Sequence, residues 1–347
     1  MRQLALLTLF SACATAPTAT APVDNGFSRT ILIHGSPLTV TLNELGLSPE
    51  ARNNLFKKLE FEATGVDAVF FSTGSLELLN DQLSKGTGPF VIRRETGQML
   101  ADVLRAFRLT AGVFDPTVGP VIRAWIEAGA AGKPSAAALK EALTRTGADK
   151  LSLSADMTSI RTTVPGMRVE PRGMRDGWVV KSVVENLQER RLVNFMVNFR
   201  GACWHASGVA PGDKPWRVLV NDHRTQRVGY VSLDNQSLSV SVSQVPRPDG
   251  RPGSKGHIVD PRDGSLVTAS RLVAAVAATP LDAEILSTAG VVLGEQSQHL
   301  VSKIDGGSML LFSGPTSSPL TIGQTVSFEP VKSLDHGTLF EEEVALR

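Results

Sequence analysis

Residues 112–125, GVFDPTVGPVIRAW, decide how the rest of the chain is read. The first nine of them hold two prolines, Pro116 and Pro120, two glycines, Gly112 and Gly119, and one acid, Asp115. Proline is excluded from central strands and helix interiors, and glycine admits backbone angles closed to other residues. Asp115 precedes Pro116 and is driven towards an extended conformation. Phe114 and Val118 are of the type that folds bury, which a solvated linker would not need. The stretch is therefore a shaped loop. Taken alone, it reads more simply as a tight turn behind a helix than as a ligand loop.

The flanking sequence places this loop. Residues 96–109 carry an apolar stripe at helical spacing: Met99, Leu100, Val103, Leu104 and Phe107. Residues 133–146 read as a short Ala-rich helix after Pro134. Ser48-Pro49-Glu50 opens an earlier helix, with Ser as cap and Pro at the first helical position; Leu55, Leu59 and Val66 follow its pattern. Further on, 151–168 alternates like a strand, 177–187 is helical and 193–199 is a buried strand. Residues 216–220 and 228–233 read as paired strands, followed by 238–242 and 272–278. Thr279-Pro280 opens a helix that ends at Gly294, and 310–312 and 321–326 close the chain as strands. There is no internal repeat and no strict βαβ alternation, so the fold class is α+β.

Composition narrows the function. The 347 residues carry a net charge of +1 and are 42% hydrophobic, enough for a sizeable core without a field that favours nucleic acid. Aromatic content is 5% with a single Tyr, too little for a base-stacking platform. Met1-Arg2-Gln3 and the apolar run 4–10 form an export signal, far short of the ~20 residues of a membrane span. Small residues before Cys13 fit a lipoprotein signal at 1–12, with an ordinary cleaved signal and a chance Cys as the alternative. Residues 13–27 read as a flexible tether, 28–335 as the folded domain and 336–347 as a tail. With Cys13 lipidated, Cys203 has no disulfide partner and is a small buried apolar residue. Membrane contact is then through the lipid anchor alone.

Three more patterns carry chemistry. In VEPRGMRDGWVV (169–180), Gly173 and Gly177 allow close backbone approach ahead of a helix N-terminus, where free N–H groups attract phosphate, and Glu170 and Asp176 stand beside them. In HIVDPRDG (257–264), His257 and Asp260 flank Ile258 and Val259; a histidine here serves as a general base or as a strand-end structural residue. In TPLDAEILSTAGVVLG (279–294), Glu284 and Thr288 share one helix face. A carboxylate and a hydroxyl together suit Mg²⁺; a solvated face is the plainer reading of the pair by itself.

The order and wording of these patterns resemble the FAD:protein FMN transferase family, also called the ApbE or thiamine biosynthesis lipoprotein family, from about residue 29 to 328. FDPTVGPVIRAW is the most specific match; VNFRGACWHASG (197–208), PWRVLV (215–220), HIVDPRDG and STAGVVLG follow, with ILIHGSPLTVTL (31–42) and a shortened FFSTGSLELLN (70–80). The resemblance implies an ApbE-like, T-fold-related α+β domain of mixed sheets with packed helices. It implies FAD as substrate, Mg²⁺ at its diphosphate, and FMN transfer to a Thr or Ser hydroxyl of an exported acceptor flavoprotein with release of AMP. Val113, Phe114 and Asp115 match flavin contacts, so the opening loop is expected in the flavin-diphosphate pocket. His34 stands where the family often has a Met beside the flavin. Glu170, Asp176 and Val259 match FAD-contacting positions. Gly173, Glu284 and Thr288 match the metal site. His257 is the candidate proton acceptor, with Asp260 beside it as the second candidate catalytic residue.

The chain departs from the family pattern at several of these positions. Glu284 and Glu170 replace Asp. Arg172 and Arg200 stand where the family usually has glycine; they could fill the pocket, pair with a diphosphate, or pair with Glu170 and Asp176. VSVSQ (240–244) lacks the Gly of the family's Thr-Ser-Gly stretch. Two other functions stay open on the sequence: a flavin-binding or partner-binding lipoprotein with a decayed metal site, and a metal-dependent FAD pyrophosphatase.

Overall fold

The computed structural model describes residues 26–43, 46–70, 74–129, 132–222, 227–243, 258–313, 319–324 and 326–331. The expected signal at 1–12, Cys13, nearly all of the tether, His257 and the 336–347 tail lie outside the described residues.

Along the chain, β1 (Phe27–Ile33) and β2 (Ser36–Leu42) form a hairpin. Then come α1 (Pro49–Ala68), α2 (Ser75–Lys85), β3 (Phe90–Val91), α3 (Arg94–Leu109), α4 (Gly119–Ala128) and α5 (Ala136–Thr144). Next are β4 (Leu151–Leu153), β5 (Ser159–Thr162), a 3₁₀ turn at Pro171–Met174, and α6 (Arg175–Glu189). Five strands follow: β6 (Phe195–Phe199), β7 (Cys203–Ser207), β8 (Trp216–Asp222), β9 (Arg227–Leu233) and β10 (Gln236–Val242). The rest is β11 (Arg271–Ala277), α7 (Pro280–Leu293), α8 (Gln298–Val301), β12 (Ser308–Ser313), β13 (Leu320–Gly323) and β14 (Phe328–Val331).

An antiparallel sheet in the order β1-β2-β6-β7-β10-β11-β12-β13 is the centre of the molecule. Strand alternation explains why both its faces are covered. In β11, Leu272, Ala274 and Val276 meet Trp216, Val218 and Leu233 of the small sheet β14-β9-β8, while Val273, Ala275 and Ala277 join the core under α7. A strand buried on two faces must be apolar throughout, as RLVAAVA nearly is. On the helical side, Val179, Val180, Val183 and Leu187 of α6 pack with Leu55, Phe56 and Leu59 of α1 over β2 and β6. Helix α7 is buried almost all round, and at Gly290 it comes so close to Val273 and Met309 that a Cβ would lie 3.0 Å and 3.2 Å from them. Each buried Leu, Ile or Val in these cores contributes about 1.5–3 kcal/mol.

Several expectations hold in detail. Ser48 caps α1, accepting from the Ala51 N–H at 3.1 Å, and Thr279 caps α7, accepting from the Asp282 N–H at 3.2 Å. Strands β8 and β9 pair, and Cys203 is a free, buried thiol. Other expectations are corrected. The stretch 151–168 is two short strands, because Ser154 turns the chain back by accepting from the Ser159 N–H at 2.9 Å. The expected strand 321–326 stops at Gly323, and the chain moves into the small sheet as β14. Strand β1 begins at Phe27, the last residue of the range 13–27 read as a tether. Helix α2 was not expected. Nor was α4, which starts inside the opening stretch: Gly119 is its first residue and Pro120 sits in its first turn, where a missing N–H costs nothing.

Candidate active site

The opening loop is folded on its own polar groups. Asp115 accepts from the Thr117 N–H at 2.8 Å and from the Thr117 hydroxyl at 2.6 Å, and that hydroxyl accepts from the Gly147 N–H at 2.7 Å. Burial raises the Asp115 pKa against these hydrogen bonds. The Glu170 N–H donates to the Pro116 carbonyl, and Val118 bridges Arg168, so the loop is tied to the second motif. The ring of Phe114 is buried and lies 3.3 Å from the place a Cβ on Gly173 would take; the Thr288 hydroxyl lies 3.8 Å from the same place. Three motifs far apart in sequence thus meet at Gly173.

Glu284 comes to the same corner from α7. Its carboxylate is buried and accepts from the Gly177 N–H in the first turn of α6. The plainer reading of a solvated helix face is therefore overturned. Burial, then the nearby Asp176, pushes the Glu284 carboxyl well above its ordinary pKa, against backbone hydrogen bonds and Arg200. Asp176 is also raised by burial, with Arg200 and Arg175 opposing. Arg200 donates to Asp176 at 3.1 Å and 3.3 Å. Arg172 pairs with Glu170 at 3.2 Å, and Arg168 joins Glu170 at 3.0 Å while gripping Glu77 at 2.8 Å and 3.1 Å. Of the roles open to the two arginines, pairing with Glu170 and Asp176 is the one observed.

His34 is held from the other side. It occupies the two-residue turn between β1 and β2, and both His34 and Gly35 have positive φ, as a primed hairpin turn requires. His34 Nδ1 lies 2.8 Å from fully buried Asp67, which also pairs with Arg175. Burial opposes the Arg175 charge, yet Asp67, Asp176 and Glu284 push its pKa up. His34 is thus linked to the start of α6 through two intervening side chains.

The third motif is positioned differently. Val259 bridges Leu266, and the Trp125 indole N–H of α4 donates to the Gly264 carbonyl at 2.8 Å. Asp260 pairs with Arg262 at 2.6 Å; burial alone would raise its pKa, but Arg262 lowers it overall. Among the described residues, no hydrogen bond or ion pair joins Asp260 to Glu284 or Thr288.

Sequence reasoning missed Asp67, Arg175 and a hydroxyl cluster. Ser287 lies 3.1 Å from Ser239 and 2.8 Å from Ser241, and Ser241 lies 3.3 Å from Thr288. The signal was present in QSLSVSV (236–242): serines at every second position put a polar row against α7.

Whether this corner fits Mg²⁺ is answered by its donors. Among the described residues there is no group of three His, Cys, Asp or Glu side chains able to hold a metal. Mg²⁺ does not need one, because it keeps waters and takes phosphate oxygens as ligands. Glu284, Thr288 and the Gly173 backbone beside it would form such a partial set. The buried acids Asp67, Asp176 and Glu284 also outnumber the guanidinium groups of Arg175 and Arg200. The residues fit a cation site that substrate completes.

The model of the ApbE family matches residues 38–312. The chain belongs to the ApbE family. Among ApbE-related proteins, it is 26% identical over 217 residues to the FAD:protein FMN transferase of Haemophilus influenzae, a match spanning 60% of this chain and 62% of that protein's length. It is 26% identical over 256 residues to the FAD:protein FMN transferase of Vibrio cholerae, covering 66% of this chain and 74% of the other. The fold matches that of the Pseudomonas stutzeri flavinyl transferase ApbE in its apo form, with a TM-score of 0.71 and 22% identity, over 87% of this chain and 96% of that one.

Proposed function

We propose that this protein is an FAD:protein FMN transferase. The observation that carries the reading is the meeting of Phe114, Gly173 and Thr288 beside buried Glu284 at the start of α6. FAD is the substrate. Val113 and Phe114 wall the flavin side, Asp115 shapes their loop, and Glu170 and Asp176 position the arginines around the diphosphate. Glu284, Thr288 and the Gly173 backbone would hold Mg²⁺, which when bound supplies charge neutralisation at the diphosphate.

The reaction is an in-line displacement at phosphorus, in which positioning does most of the work. The Oγ of a Thr or Ser on the acceptor flavoprotein bonds to the phosphorus on the FMN side. The bond from that phosphorus to the bridging oxygen breaks, and AMP leaves with the oxygen. His257 takes the hydroxyl proton, and Asp260, held by Arg262, keeps the loop that follows it in shape.

A second reading, a flavin-binding or partner-binding protein without catalysis, is favoured by the Arg172–Glu170 and Arg200–Asp176 pairs, which satisfy the site internally. The deciding assay incubates the full chain with FAD, Mg²⁺ and an acceptor domain, and reads in-gel flavin fluorescence and AMP. A fluorescent acceptor with stoichiometric AMP is expected. AMP with FMN left free in solution makes the protein an FAD pyrophosphatase. Bound FAD with neither product makes it a binding protein.

We also propose, from residues 1–13 alone, that the protein is exported and held by a lipid anchor at Cys13. Among the described residues, no helix is long and apolar enough to cross a membrane. Cys13→Ala should abolish acyl labelling and release the protein from membranes; a variant that stays membrane-bound removes the anchor assignment.

A further inference from the structure

Arg200 is a costly residue where it stands. It occupies the turn between β6 and β7 with φ +60°, followed by Gly201 at φ +63°, in the region that favours glycine. The turn is pinned: the Arg200 N–H donates to the Pro37 carbonyl at 2.9 Å, and the Gly201 N–H to Asn198 at 3.0 Å. From this backbone the guanidinium reaches under α6 and grips Asp176, whose side chain is 9% exposed against 17% for Arg200. Glu284 reaches the same helix end, where its carboxylate accepts from the N–H of Gly177, the residue after Asp176. Without Arg200, Asp176 would lose the guanidinium it is bonded to, while Arg175 is already engaged by Asp67.

We infer that Arg200 is a resident cation, a positioning residue that pairs with buried Asp176 and holds it at the start of α6 when no divalent ion is bound. Were metal its only partner, Asp176 would be buried without a hydrogen-bonded cation between turnovers. Here the hairpin turn supplies a positive charge permanently. The inference rests on the proposed function only in taking Glu284 as the metal-facing acid. Its test uses no FAD, so a chain that transfers no FMN still decides it.

The experiment is thermal melting of the full chain in EDTA and in millimolar MgCl₂. The wild type is expected to melt at the same temperature in both. Arg200→Gly relieves the backbone, so loss of strain alone would raise Tm. The inference instead requires a fall on the order of 2–4 °C in EDTA, recovered in MgCl₂. Adding Asp176→Asn to Arg200→Gly removes the unpaired acid and should restore Tm without Mg²⁺. The inference is overturned if Arg200→Gly melts at or above the wild type in EDTA, or if Mg²⁺ shifts both proteins equally. If Arg200→Gly does not fold, recovery of a folded protein in the double variant supports the inference, and failure of both overturns it.

Discussion

Gly173 is the residue on which the site turns. It is not needed for an unusual backbone angle; it is needed because a Cβ would project between Phe114 and Thr288, 3.3 Å from the first and 3.8 Å from the second. Gly173→Ala should therefore cost little stability, since the Phe114 edge needs to give by only a few tenths of an ångström. It should weaken FAD binding roughly tenfold, the effect of a small misplacement in a positioned site. Titration of the flavin fluorescence checks this, and unchanged affinity would remove Gly173 from the pocket. That Gly173 is special was legible in the sequence as a glycine ahead of a helix. What it faces was not, because its neighbours come from residues 59 and 115 positions away.

At the scale of elements, the opening loop and α7 show how much local sequence can specify. The prolines and glycines of 112–120 announced a shaped loop, and the structure supplies its internal bonding. Thr117 is fully buried, and its hydroxyl serves both Asp115 and the Gly147 N–H. Thr117→Val keeps the shape and removes that hydroxyl, leaving the half-buried Gly147 N–H without its acceptor and buried Asp115 without one of its donors. The expected loss is about 1–3 kcal/mol in urea unfolding; a loss within error would mean the loop is held by packing alone. The loop's end was misjudged because Pro120, normally a stop signal, is tolerated in the first turn of α4. Helix α7 was legible from Thr279-Pro280 to Gly294, yet its amphipathicity misleads: Glu284 and Ser287 are polar and still inward, because they meet the α6 N-terminus and the serine row of β10.

For the whole molecule, pH is the probe. His205 on β7 is buried with Nδ1 2.8 Å from the Ser237 hydroxyl, and burial lowers its pKa from 6.5 to about 4. The unfolded chain takes up this proton near pH 6.5 and the folded chain only near 4. The neutral ring's contribution is therefore complete above pH 6.5 and lost as pH falls through 4, a span of about 3 kcal/mol. Asp176 and Glu284, both raised, act with the opposite sign: their contribution is lost as pH rises. Comparing wild type with His205→Gln isolates the histidine. On going from pH 7.5 to pH 4.5, wild type should lose roughly 2–3 kcal/mol more than the variant. Parallel losses would show that His205 is not buried neutral.

Sequence by itself determined the mixed helix-and-strand class, the caps of α1 and α7, the pairing of β8 with β9, and the motifs of the ApbE family. These follow from signals within a few residues of one another: a cap and its helix, an alternation and its strand. Only the tertiary structure decided which partner each polar side chain takes. Arg200 reaches Asp176, Arg172 takes Glu170, and His34 and Arg175 share Asp67. These pairs depend on strand register and on the hand of two hairpin turns, which bring together residues far apart in sequence; buried Asp67 and Asp176 must be paired, whereas largely exposed Arg172 adds little to stability.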